Sequence, residues 1–106
     1  MKLLTKELEQ RFKEVGEQDI KDPLVICKFF NAGGVGTWWA TAYFPEDKTF
    51  FGYVSIFGDE CDEWGYFSLE ELESIKGRFG LGIERDCFFK EKPASEIKEI
   101  KLYANT

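Results

Sequence analysis

Leu8, Phe12 and Val15 recur at i, i+4 and i+7 behind Thr5. That spacing predicts an amphipathic first helix with Thr5 as its N-cap, stopped by Gly16. After the polar residues 17–23 the pattern changes to a short β-branched and aromatic run, 24–30, which reads as a strand with Val25, Cys27 and Phe29 on one side. Glycines at 33, 34 and 36 let the chain reverse into a second strand, 37–44. Pro45, Glu46, Asp47 and Lys48 have turn chemistry and lead to a third strand, 49–57. Residues 64–67 follow as a short fourth strand beside the third, giving an antiparallel meander.

Ser68 opens the sharpest local signal. Ser68-Leu69-Glu70-Glu71 is a capping box, and Phe67 can staple onto Leu72, so a helix is predicted over 69–76. Gly77, Gly80 and Gly82 make a loop, Cys87-Phe88-Phe89 reads as a last strand, and Ser95 caps a short terminal helix with Ile97, Ile100 and Tyr103 inward. The expected fold is α+β: an antiparallel sheet of four or five strands with two or three helices, in the order α-β-β-β-β-α-β-α. The helices at 6–15 and 69–76 are expected to cover one face. No repeat, linker or low-complexity tract divides 1–106, which reads as a single globular domain.

Composition narrows the chemistry. With 43% hydrophobic and 17% aromatic residues, the chain falls in the folded class. No apolar stretch reaches the length of a membrane span, and an odd number of cysteines, Cys27, Cys61 and Cys87, suits reduced thiols in the cytoplasm. The absence of histidine removes the commonest general base, the Ser-His and Cys-His pairs and the usual zinc sites. No cofactor is called for. Glu46-Asp47-Lys48 and Glu96-Ile97-Lys98 match the Glu-x-Lys of some nucleases too briefly to carry that activity. The Gly77, Gly80 and Gly82 set lacks the Lys-Ser/Thr of a phosphate loop.

Charge is distributed unevenly. The net charge is −6, yet residues 46–73 hold nine acids against Lys48 alone, a local −8 that leaves the rest at +2. Such a field repels nucleic-acid backbones and favours a protein partner with a basic surface. Asp59, Glu60, Asp62 and Glu63, with Trp64 beside them, form the densest part. The loop reads as a solvated turn, a protein-contact surface or, lacking EF-hand spacing, a poor calcium or magnesium site. Glu84, Arg85 and Asp86 concentrate charge between apolar Ile83 and Cys87. They read as a structural ion pair first, and second as a small-molecule or carboxylate-based catalytic site in which Arg85 grips an anion. Trp38 and Trp39 must point to opposite faces of their strand, so one belongs to the core and the other lies under a helix or at a contact site.

Five stretches also carry a likeness: Met1-Lys2-Leu3-Leu4-Thr5-Lys6, the strand around Trp39, Pro45-Glu46-Asp47 before Phe50-Phe51-Gly52, Gly65-Tyr66-Phe67-Ser68-Leu69-Glu70-Glu71-Leu72, and Gly82-Ile83-Glu84-Arg85-Asp86. Together they resemble domain of unknown function 2958, a family of short bacterial proteins carried on plasmids, integrative elements and phages. The resemblance brings no activity and no catalytic residues. It implies a setting, a mobile genetic element in a bacterial cytoplasm. In that setting the leading expectation is a non-catalytic accessory protein that binds another protein through an acidic, aromatic surface. A sharper variant is an acidic mimic of nucleic acid that inhibits a host defence or DNA-binding protein.

Overall fold

The computed structural model describes residues 2–58 and 61–102. Helix α1, Lys6–Val15, starts where Thr5 Oγ1 accepts from Leu8 N at 3.2 Å and ends where the Gly16 N–H reaches the Phe12 carbonyl. Glu7 and Glu9 in its first turn and Lys13 in its last complement the helix dipole. Next come β1, Leu24–Val25, β2, Cys27–Asn31, β3, Thr37–Phe44, β4, Thr49–Ser55, and β5, Glu63–Ser68. Helix α2, Leu69–Ser74, carries both halves of the capping box, with Glu71 N donating to Ser68 Oγ at 2.9 Å. The short strands β6, Ile83–Arg85, and β7, Lys92–Pro93, follow.

The main sheet has the order β5-β4-β3-β2-β6 and every pairing is antiparallel, an α+β architecture. β1 pairs with β7 in a separate two-stranded ladder. The single expected strand over 24–30 therefore breaks at Ile26, whose N–H goes to the Ala40 carbonyl. The break shifts the alternation: Cys27 and Phe29 join one core and Val25 the other.

The last strand is displaced from its expected place. Ile83–Arg85 pairs with β2, Phe29 opposite Arg85, whereas Cys87, Phe88 and Phe89 form a turn. Asp86 causes this: its Oδ1 accepts from Phe88 N at 3.0 Å and its carbonyl from Phe89 N, an Asx turn that ends extended backbone. Helix α2 stops at Ser74, two residues short of the expected end.

Both faces of the sheet are covered. On one, α1 and α2 bring Phe12 and Leu72 against Phe29, Trp38, Phe50 and Phe67. Phe50 sits at the centre, with the rings of Tyr43, Phe29, Phe67 and Phe12 at 4.8, 5.4, 5.4 and 5.9 Å. On the other face Trp39, Tyr53 and Trp64 pack under Ala94, Ile97 and Ile100. The cover is a single 3-10 turn, Ala94–Glu96, and the residues after it, not the helix expected from Ser95. Ser95 instead donates from N and Oγ to the Asp22 carboxylate, both at 2.8 Å. Tyr103 lies outside the described residues.

Trp38 and Trp39 do point to opposite faces, and both are buried because there are two cores rather than one. An extra residue, Thr41, sits where the β3–β4 register shifts; its Oγ1 donates to the Phe51 carbonyl at 3.1 Å. Gln18 ties the loop before β1 to this bulge. Its Nε2 donates to the carbonyls of Leu24 and Thr41, both at 2.9 Å, and its Oε1 accepts from Leu24 N at 2.7 Å.

Candidate protein-binding surface

Of the seven large apolar side chains exposed among the described residues, five collect at one end of the sheet, while Tyr66 on β5 and Phe88 beyond β6 stand apart from them. Thr37 pairs with Ser55, so the β2–β3 turn lies beside the end of β4, and a Cβ placed on Gly36 would stand 3.3 Å from Ile56 Cδ1. The segment after α2 joins them. Arg78 N donates to the Gly33 carbonyl at 2.9 Å, Ala32 N to the Gly82 carbonyl at 3.0 Å, and Lys76 bridges to Gly82. Val35, Ile56, Phe57, Phe79 and Leu81 are all exposed here, Phe57 at 73% and Phe79 at 95%.

The frame under these side chains is tight. Gly33 and Gly77 meet backbone to backbone; a Cβ on Gly33 would lie 2.5 Å from the Leu81 carbonyl oxygen, and one on Gly77 would run into the Gly33 carbonyl. Phe79 stands on this frame in the left-handed region, at φ 59° and ψ 22°. A bulky residue there stores on the order of 1–2 kcal/mol. Gly77 N to the Leu81 carbonyl, 2.6 Å, and Leu81 N to the Arg78 carbonyl, 3.0 Å, close the turn around it.

Beside Phe57 a groove of about 500 Å³ opens between β4, β5 and α2. Trp38, Val54, Leu72 and Ile75 form its floor, and Asp62, Glu63 and Glu71 stand among its lining residues. Asp62 Oδ2 accepts from Ser55 Oγ at 2.8 Å, which fixes one carboxylate at the rim, and Glu63 opposes Val54 across the β4–β5 ladder. Asp59 and Glu60 lie outside the described residues. The described acids of 46–73 divide between the groove, which Asp62, Glu63 and Glu71 line, and the far end of β5. Asp62 and Glu63 stand at its start, and Glu70 stands at its far end with the turn holding Glu46 and Asp47, since Leu69 N donates to the Lys48 carbonyl.

The expected site residues do not form one site. Asp62 and Glu63 belong to the β5 edge and Glu84, Arg85 and Asp86 to the β6 edge, four strand spacings or roughly 19 Å apart. Trp64 is not a surface residue: it is buried in the second core and its Nε1 donates to the Lys101 carbonyl at 2.8 Å. Arg85 Nη1 donates to the carbonyls of Lys2 at 2.6 Å and Leu3 at 3.1 Å, holding the N-terminal segment whose Leu3 and Leu4 enter the core. Asp86 pairs with Lys28 at 3.8 Å, and Glu84 faces Phe30 across the ladder.

A hollow of about 230 Å³ beside Arg85 includes Thr5, Cys27 and Cys87. Burial pushes the Cys27 thiol up to about 12, against a smaller opposing pull from Arg85, so it stays protonated at neutral pH and is a poor nucleophile. Another hollow, about 550 Å³, lies between α1 and Tyr43, with Lys6, Glu9 and Lys13 mixing both signs of charge on its wall. Among the described residues no group of three or more Cys, Asp or Glu side chains is arranged to hold a metal, and no helix is long and apolar enough to cross a membrane.

Phe57, Phe79, Val35 and Leu81 were not among the residues expected to form a site. Phe57 is hidden in sequence by its place at the end of an apolar strand run. Phe79 had a signal, an aromatic isolated between Gly77 and Gly80 with no periodic partner. No curated protein and no solved structure matches the chain. The sequence model of the family described as "Protein of unknown function (DUF2958)" matches residues 2–104, nearly the whole chain, and the protein belongs to that family.

Proposed function

We propose that this is a non-catalytic accessory protein of a bacterial mobile element, working in the cytoplasm by binding another protein at the apolar, acid-rimmed end of its sheet. The setting rests on the resemblance described above. The observation that carries the binding role is the gathering of Val35, Ile56, Phe57, Phe79 and Leu81 at one end, outside both cores, with Val35, Phe79 and Leu81 on a hydrogen-bonded backbone frame. Scattered exposed apolar residues need no explanation, whereas a cluster with a charged rim marks an interaction surface. Covering Phe57 and Phe79 alone is worth roughly 3–6 kcal/mol of apolar burial, the scale of an interface hot spot.

The carboxylates at the rim favour a basic partner and act mainly on association rate and specificity. Purified partner, first recovered by affinity capture from a native host, is expected to bind the Phe57→Ser/Phe79→Ser protein at least about thirtyfold more weakly than wild type. Equal binding by that variant, with its circular dichroism unchanged, removes the proposal. Nucleic-acid mimicry has less support, because a mimic needs a continuous row of charge, whereas Asp62, Glu63 and Glu71 border an apolar floor. Affinity that vanishes between about 50 and about 500 mM salt, with no residual apolar component, is the outcome that favours mimicry. A small-molecule role for Glu84, Arg85 and Asp86 is also less supported, since Arg85 and Asp86 make structural contacts.

A further inference from the structure

Resting on the reading of this end as a protein-binding surface, we propose that the groove beside Phe57 takes one amphipathic helix of the partner, its apolar stripe flanked by lysine or arginine. Volume, direction and charge each bear on this choice of occupant.

The groove offers about 500 Å³, roughly three times a cavity of ~150 Å³ that accepts a single benzene ring. Three anchors from one face of a helix, at i, i+3 or i+4 and i+7, supply side chains in that number and in one direction. An added strand does not. β5 is the outer strand on this side of the sheet, and a strand laid along it sends alternate side chains to both faces. The groove opens on the face that carries α2, as its Leu72 and Ile75 lining records. The opposite face is closed at Trp64 by the segment whose Lys101 carbonyl accepts from the indole N–H. Side chains that such a strand places beside Trp64 would meet that cover, while Tyr66 farther along the same face stays 70% exposed.

Charge selects the flanks of the helix. Asp62, Glu63 and Glu71 line the groove with its apolar floor, so basic residues on either side of an apolar stripe find partners while the stripe is buried. A second copy of this chain is a poor occupant. Two-fold pairing across the groove sets the same carboxylates against each other, and each chain carries −6.

The test is a nitrogen-15 NMR titration of the whole protein with three synthetic peptides. One is helical, with leucines at i, i+3, i+4 and i+7 and lysine elsewhere. The second replaces its lysines with glutamate, and the third alternates leucine and lysine to favour a strand. The helical basic peptide is expected to shift the amides of Ile56, Phe57, Glu63, Leu72 and Ile75, and to bind Glu63→Lys about tenfold more weakly.

Preference for the strand-forming or acidic peptide at the groove overturns the helix proposal and leaves the surface reading in place. Equal shifts around Glu46 and Asp47 show charge attraction alone and overturn it too. If no peptide shifts the groove at all, the helix proposal falls. The surface reading then stands or falls on the Phe57→Ser/Phe79→Ser comparison with purified partner, which uses no peptide.

Discussion

Replacing Phe79 by glycine or asparagine should leave the fold as stable as before or more so, while weakening binding. Phe79 is 95% exposed, so truncating it forfeits almost no packing. Its left-handed backbone costs phenylalanine on the order of 1–2 kcal/mol that glycine avoids and asparagine largely avoids. Glycine returns roughly 0.5–1 kcal/mol of this through the greater freedom of its unfolded chain. The net expectation is about 0 to +1.5 kcal/mol for Phe79→Gly and a similar gain for Phe79→Asn. Urea denaturation reads this as an unchanged m-value with a midpoint equal to or above wild type, and thermal melting as a rise of up to several degrees. A buried phenylalanine behaves oppositely, losing about 3–5 kcal/mol on truncation. An unfolding free energy that falls by more than about 1 kcal/mol in both variants refutes the reasoning, because Phe79 would then be packed or its backbone not left-handed. Stability kept or gained together with affinity lost is the signature of a side chain held out for a partner at the molecule's own expense.

Phe50→Ala should destabilise by about 3–5 kcal/mol in urea titration, since four rings surround a fully buried one; a loss under about 1 kcal/mol would contradict that packing. Gly77→Ala forces the Gly33 contact apart and should cost about 1–3 kcal/mol, with faster amide exchange at Arg78 and Gly82 as the local readout; unchanged exchange at both counts against it. Cys27 also makes stability depend on pH. Its folded pKa, about 12, exceeds the ordinary value of 9.0, so its contribution is complete below about pH 9 and is lost as pH rises toward 12. That contribution is about 4 kcal/mol at most, and Cys27→Ala should flatten the fall in urea midpoint between pH 9 and 11; an identical fall in wild type and variant removes Cys27 as its cause.

The parts of the fold legible in sequence were those written by near neighbours. Thr5 and Ser68 announce their helices because each cap contacts a residue three positions on, and the β2-β3-β4-β5 meander follows from turns between adjacent strands. The opposed faces of Trp38 and Trp39 follow from strand geometry alone. Long-range pairing was not legible. Ile83–Arg85 finds its partner in β2, more than fifty residues earlier, and Cys87-Phe88-Phe89 looked more strand-like until the Asp86 carboxylate is seen capping Phe88. The second core was missed for a similar reason: Ile97 and Ile100 suggested a helical stripe, but they are held by the β1–β7 ladder and by Asp22. Of the candidate site, sequence pointed to the charge of Asp62 and Glu63, while the apolar half of the same surface comes from three chain segments that meet only on folding.

The cover over Trp39, Tyr53 and Trp64 has a consequence for biosynthesis. These rings belong to strands already complete when Ala94, Ile97 and Ile100 have yet to be translated, and Trp64 precedes Ala94 by about thirty residues. Until that cover docks, a sheet closed on its helical side leaves an aromatic wall bare on the other. Loss of residues beyond Lys92 would leave that wall bare for good and is expected to favour aggregation.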